Sequence, residues 1–153
     1  MDVESLRAFL LSLPDVVETL QWGENLVFWT GDKAIGGKMF ALINLDENHH
    51  QQSATNKQQL LLSYSAGPIR YSELLEIEGI VPAPYMARIH WVAIERWDIF
   101  TIAEWHRELS AAYTLTLAKL PKNVVATLAL PAVKQKALIA ARRKVIAAKA
   151  PEK

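Results

Sequence analysis

Apolar positions recur along this chain with two different periods, and the switch between them marks out its elements. Val3, Leu6, Phe9, Leu10 and Leu13 follow helical spacing behind Asp2, a residue suited to capping a helix N-terminus, and Pro14 ends the run. Stretches 16–22, 25–30 and 38–45 read as strands. Gly23 with Asn25 turns the first into the second, and Gly31-Asp32 with Gly36-Gly37 turns the second into the third. Met39 to Leu45 is apolar on both faces, as in a central strand covered on two sides. Trp22, Phe28 and Trp29 read as core aromatics in strands, and one of the last two must point outward from a regular strand. Residues 46–57 are polar and read as a loop or mobile hairpin tip.

Leu60-Leu61-Leu62 begins a fourth strand that ends near Ser65-Ala66-Gly67-Pro68. A short helix is expected over 70–77, stopped by Gly79, after which Pro82 and Pro84 hold an extended stretch. His90 to Glu95 alternates as a fifth strand. Thr101 and Glu104 form a capping box that opens a helix to about Leu120. Ile102, Trp105, Leu109, Ala112, Tyr113, Thr116 and Leu117 line the face expected to pack on the sheet. Residues 133–149 repeat a helical pattern in which Arg142 and Lys149 share a side with Leu138, Ile139, Val145 and Ile146, so this segment reads as an appendage. The expected architecture is α+β, an antiparallel sheet packed against N-terminal and C-terminal helices. The domain is placed at 1–124, with a basic Ala/Lys-rich extension at 125–153.

Composition narrows the function classes. A chain of 153 residues, half of them hydrophobic, can bury the core of one globular domain without a disulfide or metal. It has no cysteine, which removes disulfides, thiol catalysis and thiolate metal sites. Asp2 and Glu4 stand where a signal peptide would be positive, and no apolar run approaches the roughly 20 residues of a membrane span, so a cytoplasmic location away from membranes is expected. The net charge of +1 conceals a split. Residues 1–116 hold 8 Lys and Arg against 15 Asp and Glu, a net −7, whereas residues 117–153 hold 9 against Glu152 alone, a net +8. Such asymmetry points to nucleic acid or another acidic partner, and it also occurs in plain solvated tails.

Catalytic patterns are approached and missed. Gly36-Gly37-Lys38 resembles the end of a phosphate-binding loop, but Asp32 replaces its first Gly and Met39 its Ser or Thr, and a strand follows in place of a helix. The glycines then serve a hairpin turn, from which Lys33 and Lys38 can still reach a phosphate. Ser63-Tyr64-Ser65-Ala66-Gly67 lacks the first Gly of a nucleophile elbow. His49 and His50 fall in the polar loop, and His106 is expected on the exposed flank of the capped helix. No catalytic residue, metal site or cofactor is therefore expected. Arg88-x-His90-Trp91 is the densest polar–aromatic cluster, beside the rigid Pro82-Ala83-Pro84-Tyr85. Strand alternation puts Arg88 and His90 on one face, and Tyr85, Arg88 and His90 form a candidate patch for an anion or a base; its bland reading is core packing around Trp91.

The ordered set Trp22-Gly23, Gly37-Lys38-Met39-Phe40-Ala41-Leu42, Gly79, Pro82-Ala83-Pro84-Tyr85, Arg88-x-His90-Trp91-Val92, Tyr113 and Leu120-Pro121-Lys122 resembles the MmcQ/YjbR family of small bacterial proteins. The resemblance covers the chain to about Asn123. It implies a CyaY-like (frataxin-like) fold with a double-wing arrangement, and the DNA-binding role attached to that arrangement. Ala112 stands where the family often has Ser, so a hydroxyl-dependent role there does not carry over. The first helix carries only Asp2 and Glu4, which disfavours the iron binding of frataxin-like folds.

The expected function is weak, salt-sensitive DNA binding through phosphate contacts. Its expected residues are Lys33 and Lys38 in a wing loop, Arg88 near the groove, and Lys119, Lys122, Arg142, Arg143 and Lys144 as a charge track. The alternative is a non-catalytic protein-interaction module, with the C-terminal helix docking on a protein partner.

Overall fold

Strands joined by tight turns pair most readily with their neighbours in the chain, and those between Val16 and Asn44 do so. A computed structural model describes residues 1–45 and 60–149. The polar stretch expected as a loop at 46–57, with His49 and His50, lies outside the described residues. The strands are β1 (Val16–Gln21), β2 (Asn25–Thr30), β3 (Lys38–Asn44), β4 (Leu62–Ser65), β5 (Ile80–Pro82) and β6 (Trp91–Ile94). They form one antiparallel sheet in the order β1-β2-β3-β4-β6-β5. The helices are α1 (Val3–Leu11), α2 (Pro68–Leu74), α3 (Ile102–Ala118), α4 (Lys122–Leu128) and α5 (Ala132–Lys149). The fold is α+β, with helices at both ends of the chain.

A bulge explains why β3 is apolar on both faces. Phe28 pairs with Ala41 and Trp29 with Met39, so Phe40 is an extra residue in the ladder. Phe40 and Ala41 consequently both enter the core beneath α1 and α3, while Met39 and Leu42 join a second cluster with Ala83, Trp91 and Ala93. Phe28 lies in the first core, and Trp29 is buried as well. Trp29 donates from Nε1 to Thr19 Oγ1 at 2.8 Å, and Lys33 Nζ sits 5.6 Å from its ring centroid. The outward aromatic of the pair is thus covered.

The main core has Leu6, Leu10, Phe28, Phe40, Trp105 and Leu109 fully buried. Each such side chain contributes about 1.5–3 kcal/mol relative to exposure. Trp105 satisfies its indole by donating to the Trp97 carbonyl at 3.1 Å and meets Phe100 edge-on at 5.1 Å. Tyr113 donates to the Pro14 carbonyl at 2.7 Å, pinning α3 to the end of the first helix segment. Both expected caps form: Asp2 accepts from Ser5 N, and Thr101 and Glu104 close a reciprocal box. Arg7 and Glu18 make a two-bond ion pair that ties α1 to β1.

Several expectations are corrected. The stretch around Pro82 is a paired strand, because a proline lacking an N–H is tolerated on the edge that β5 forms. The short helix begins at Pro68, two residues before the expected start, since its first turn does not need the missing N–H. Strand alternation does not reach Arg88 and His90. Residues Ala87–Ile89 form a 3-10 turn and His90 is left-handed at φ 63°, so the two side chains follow turn geometry. His106 is not on an exposed flank; it is half-buried and stacked on Phe9 at 4.0 Å. Ile102, expected against the sheet, is 63% exposed, and Glu108 is buried in the same helix.

The segment after Pro121 also folds differently. The helix α4 was not anticipated, and its Val124 and Leu128 pack on the loop at Gly36 and Gly31. The helix α5 is docked, though none of its residues is buried. Gln135 donates to the Leu128 and Leu130 carbonyls at 2.9 and 2.8 Å, and Arg143 pairs with Asp32 beside the 3-10 turn Lys33–Ile35. Among the described residues no helix is long and apolar enough to cross a membrane.

Candidate functional site

The loop between β2 and β3 is shaped by its own residues. Asp32 accepts from Ala34 N at 2.8 Å and starts the 3-10 turn that presents Lys33. Gly37 then passes so close to Gly31 that an added Cβ would lie 1.9 Å from the Gly31 carbonyl oxygen. This tight return leaves Lys33 and Lys38 exposed on either side of the loop.

Docking of α5 on that loop brings Arg143 of the expected charge track beside Lys33. Lys33 and Arg143 line one hollow of about 350 Å³, whose apolar wall includes Val17 and Ile146. Arg142 and Lys144 flank Arg143 on the exposed helix surface, and exposed Lys122 opens α4, two residues before Val124. Asp32 offsets part of this charge through its 2.5 Å bond to Arg143. Lys119 is exposed at the C-cap of α3, where a cation also complements the helix dipole.

Tyr85, Arg88 and His90 do not converge on a single point. His90 meets Tyr71 edge-on at 5.3 Å. Arg88 is exposed in its 3-10 turn, and Tyr85 is fully exposed with φ 65°. Tyr85 instead helps to line a groove of about 520 Å³ with Pro84, Met86, Met39, Leu42, Asn25 and Trp22. Trp22, expected as a core aromatic in a strand, instead follows β1 in a turn, 63% exposed and also left-handed at φ 49°. This groove lies over the face of β3 away from α3, where Met39 and Leu42 emerge.

A third group was missed in the sequence. Glu108 accepts from Tyr64 Oη at 2.9 Å and from Arg70 through Nε and Nη2, the latter at 2.8 Å. Arg70 also reaches Glu73 at 3.2 Å. Burial pushes the Tyr64 phenol pKa up, and the Glu108 charge adds to the effect. The hydrogen bond to Glu108 raises Arg70 further into its charged form. These groups line a hollow of about 390 Å³ above Ala66, Ala111 and Ala112. Both Glu108 oxygens are already bonded, so the cluster acts as a clamp joining β4, α2 and α3. The available signal was Glu108 itself, a charge on the apolar stripe of Trp105, Leu109 and Ala112. Among the described residues no group of three His, Cys, Asp or Glu side chains is placed to hold a metal ion.

The sheet and its covering helices coincide with a known family. A model of the YjbR family matches residues 11–115. The chain belongs to the YjbR family. The YjbR match runs from the end of α1 through all six strands and into α3. It therefore includes Lys33, Lys38, Trp22, Tyr85, Arg88 and the Glu108 clamp, while α4 and α5 lie beyond it. No curated protein and no solved structure matches the chain.

Proposed function

We propose that this YjbR protein binds nucleic acid through the phosphate backbone, using the basic corner formed where α5 meets the β2–β3 loop. The observation that carries this reading is the pairing of Arg143 with Asp32 beside Lys33. It sets cations from two distant parts of the chain on one surface. Lys33, Lys38, Lys122, Arg142, Arg143 and Lys144 are all exposed. Exposed cations on long side chains suit phosphate oxygens and carry no base code, so binding is largely independent of sequence. The DNA-binding role implied by the family resemblance points the same way. Arg88 and Lys119 are accessory contacts in this reading.

Fluorescence anisotropy with a labelled 20-base-pair duplex at two salt concentrations tests it. Four to six phosphate contacts predict a log-affinity against log-salt slope of about −4 to −5. Replacing Arg142, Arg143 and Lys144 together with Ala should weaken binding and flatten the slope by about 2 to 3. Salt-insensitive binding, or a slope unchanged by the triple variant, would refute the proposal.

A second reading is a protein-interaction module. It is favoured by the exposed aliphatic side chains of α5, Val133 at 80%, Ile146 at 55%, Val145 at 45% and Leu138 at 40%. A change in hydrodynamic mass on replacing Leu138 and Val145 with Lys, with duplex binding intact, would support that reading instead.

A further inference from the structure

The groove between Trp22 and Tyr85 is unexplained by the basic corner. Turn chemistry favours Gly or Asn at left-handed positions, because a side chain there costs about 1–2 kcal/mol. Yet Trp22 at φ 49° and Tyr85 at φ 65° are both left-handed aromatics. Neither is used in a core: their relative exposures are 63% and 104%. Asn25 donates to the Trp22 carbonyl at 3.0 Å, which fixes the turn in this form. Strain held in place by the surrounding structure, at residues that bury nothing, directs attention to what those side chains can contact outside the molecule.

The surroundings narrow that contact. The groove floor is apolar, formed by Met39, Leu42, Pro84 and Met86, and its volume of about 520 Å³ suits a small planar group. Met39 pairs with Trp29, over whose ring Lys33 Nζ sits 5.6 Å from the centroid, and Arg88 follows Met86 by two residues. Both cations are exposed and neither makes an ion pair among the described residues. Aromatic faces beside an apolar floor, with cations nearby on the same side of the sheet, are complementary to a base and its phosphate. Lys33 also belongs to the basic corner, so the groove continues that surface.

We infer that the groove is a base-stacking subsite for single-stranded nucleic acid, with Trp22 and Tyr85 contacting bases and Lys33 and Arg88 contacting the backbone. This inference rests on the nucleic-acid reading of the basic corner and adds the strand form that the protein prefers. A duplex presents its bases stacked inside and cannot insert them here, whereas an unpaired strand can.

The test uses full-length protein, labelled oligo(dT)15 and a labelled duplex of equal length. Tyr85→Ala and Trp22→Ala should each lower oligo(dT)15 affinity by about tenfold. Duplex affinity should change less than twofold, because neither residue serves the basic corner. Tyr85→Phe and Trp22→Phe keep a ring and should restore most of the loss, and circular dichroism verifies that each variant is folded. Equal losses for duplex and oligo(dT)15, or an unchanged oligo(dT)15 affinity in the Tyr85→Ala/Trp22→Ala double variant, overturn the inference. Wild-type binding to duplex alone also overturns it and leaves the basic-corner reading standing. Binding to neither probe removes both.

Discussion

Arg143 on α5 donates from Nη2 to Asp32 Oδ2 at 2.5 Å, joining residues 111 positions apart in the chain. The same Asp32 accepts from Ala34 N through its other oxygen, so a single carboxylate shapes the β2–β3 loop and receives the C-terminal helix. Arg143 is 66% exposed in its side chain and Asp32 only 10%. Water therefore screens the pair on one side, and its contribution to stability falls near the surface range of about 0–1 kcal/mol.

Arg143→Ala should leave the unfolding midpoint almost unchanged while loosening α5 selectively. Hydrogen exchange is the appropriate measurement. Amides of 136–149 should exchange faster by about three- to fivefold, the equivalent of at most 1 kcal/mol. Those of β2 and β3 should be unaffected. Equal acceleration across the sheet would mean that the pair holds the fold and not the helix.

The Glu108 clamp should respond asymmetrically to loss of its two charged partners. Glu108 is 7% exposed and Arg70 40% in their side chains. Removing the carboxylate leaves a guanidinium that water can reach, so Glu108→Gln should cost about 1 kcal/mol. Removing the guanidinium strands a buried carboxylate on Tyr64 alone, so Arg70→Met should cost about 3 kcal/mol. Urea unfolding of both variants decides the matter, and a larger loss for Glu108→Gln would contradict the burial argument.

Gly37 should tolerate substitution less than Gly23, although only Gly23 has positive φ, at 84°. A Cβ at Gly23 meets nothing within 4 Å, so Gly23→Ala carries only the left-handed penalty of about 1–2 kcal/mol. At Gly37 the added carbon would lie 1.9 Å from a backbone oxygen, which forces the loop apart. Gly37→Ala should cost about 3 kcal/mol or more and displace Lys33 and Lys38. Thermal unfolding together with duplex affinity provides the measurement.

Acid should weaken the protein through its caps. The Thr101 backbone hydrogen bond holds Glu104 below its ordinary 4.5, and the Ser5 backbone bond holds Asp2 below 3.8. In each case the unfolded chain takes up a proton before the folded one does. The caps therefore stabilise fully above those ordinary values, and the benefit disappears as pH falls through the lower folded values. Glu104→Gln with Asp2→Asn should flatten the acid limb of a stability–pH curve between pH 5 and 2. An unaltered limb would assign the acid sensitivity to other carboxylates.

Sequence alone determined the features whose physical cause lies within a few residues. Asp2 and the Thr101–Glu104 box start their helices because each side chain bonds to backbone within its own first turn. The turn residues Gly23 with Asn25, and Gly31-Asp32 with Gly36-Gly37, place β1 to β3 in the same way. Tertiary structure decided what depends on distant partners. Ile80–Pro82 became a strand because β6 supplied a ladder at the sheet edge, and His106 was covered because Phe9 came to lie against it. Glu108 could be buried because Arg70 arrived from 38 positions away, and α5 could dock because Asp32 waited at the opposite end of the chain. A carboxylate's neighbours in sequence determine its local hydrogen bonds. Only the closed fold determines which cation neutralises it and how much water remains beside the pair.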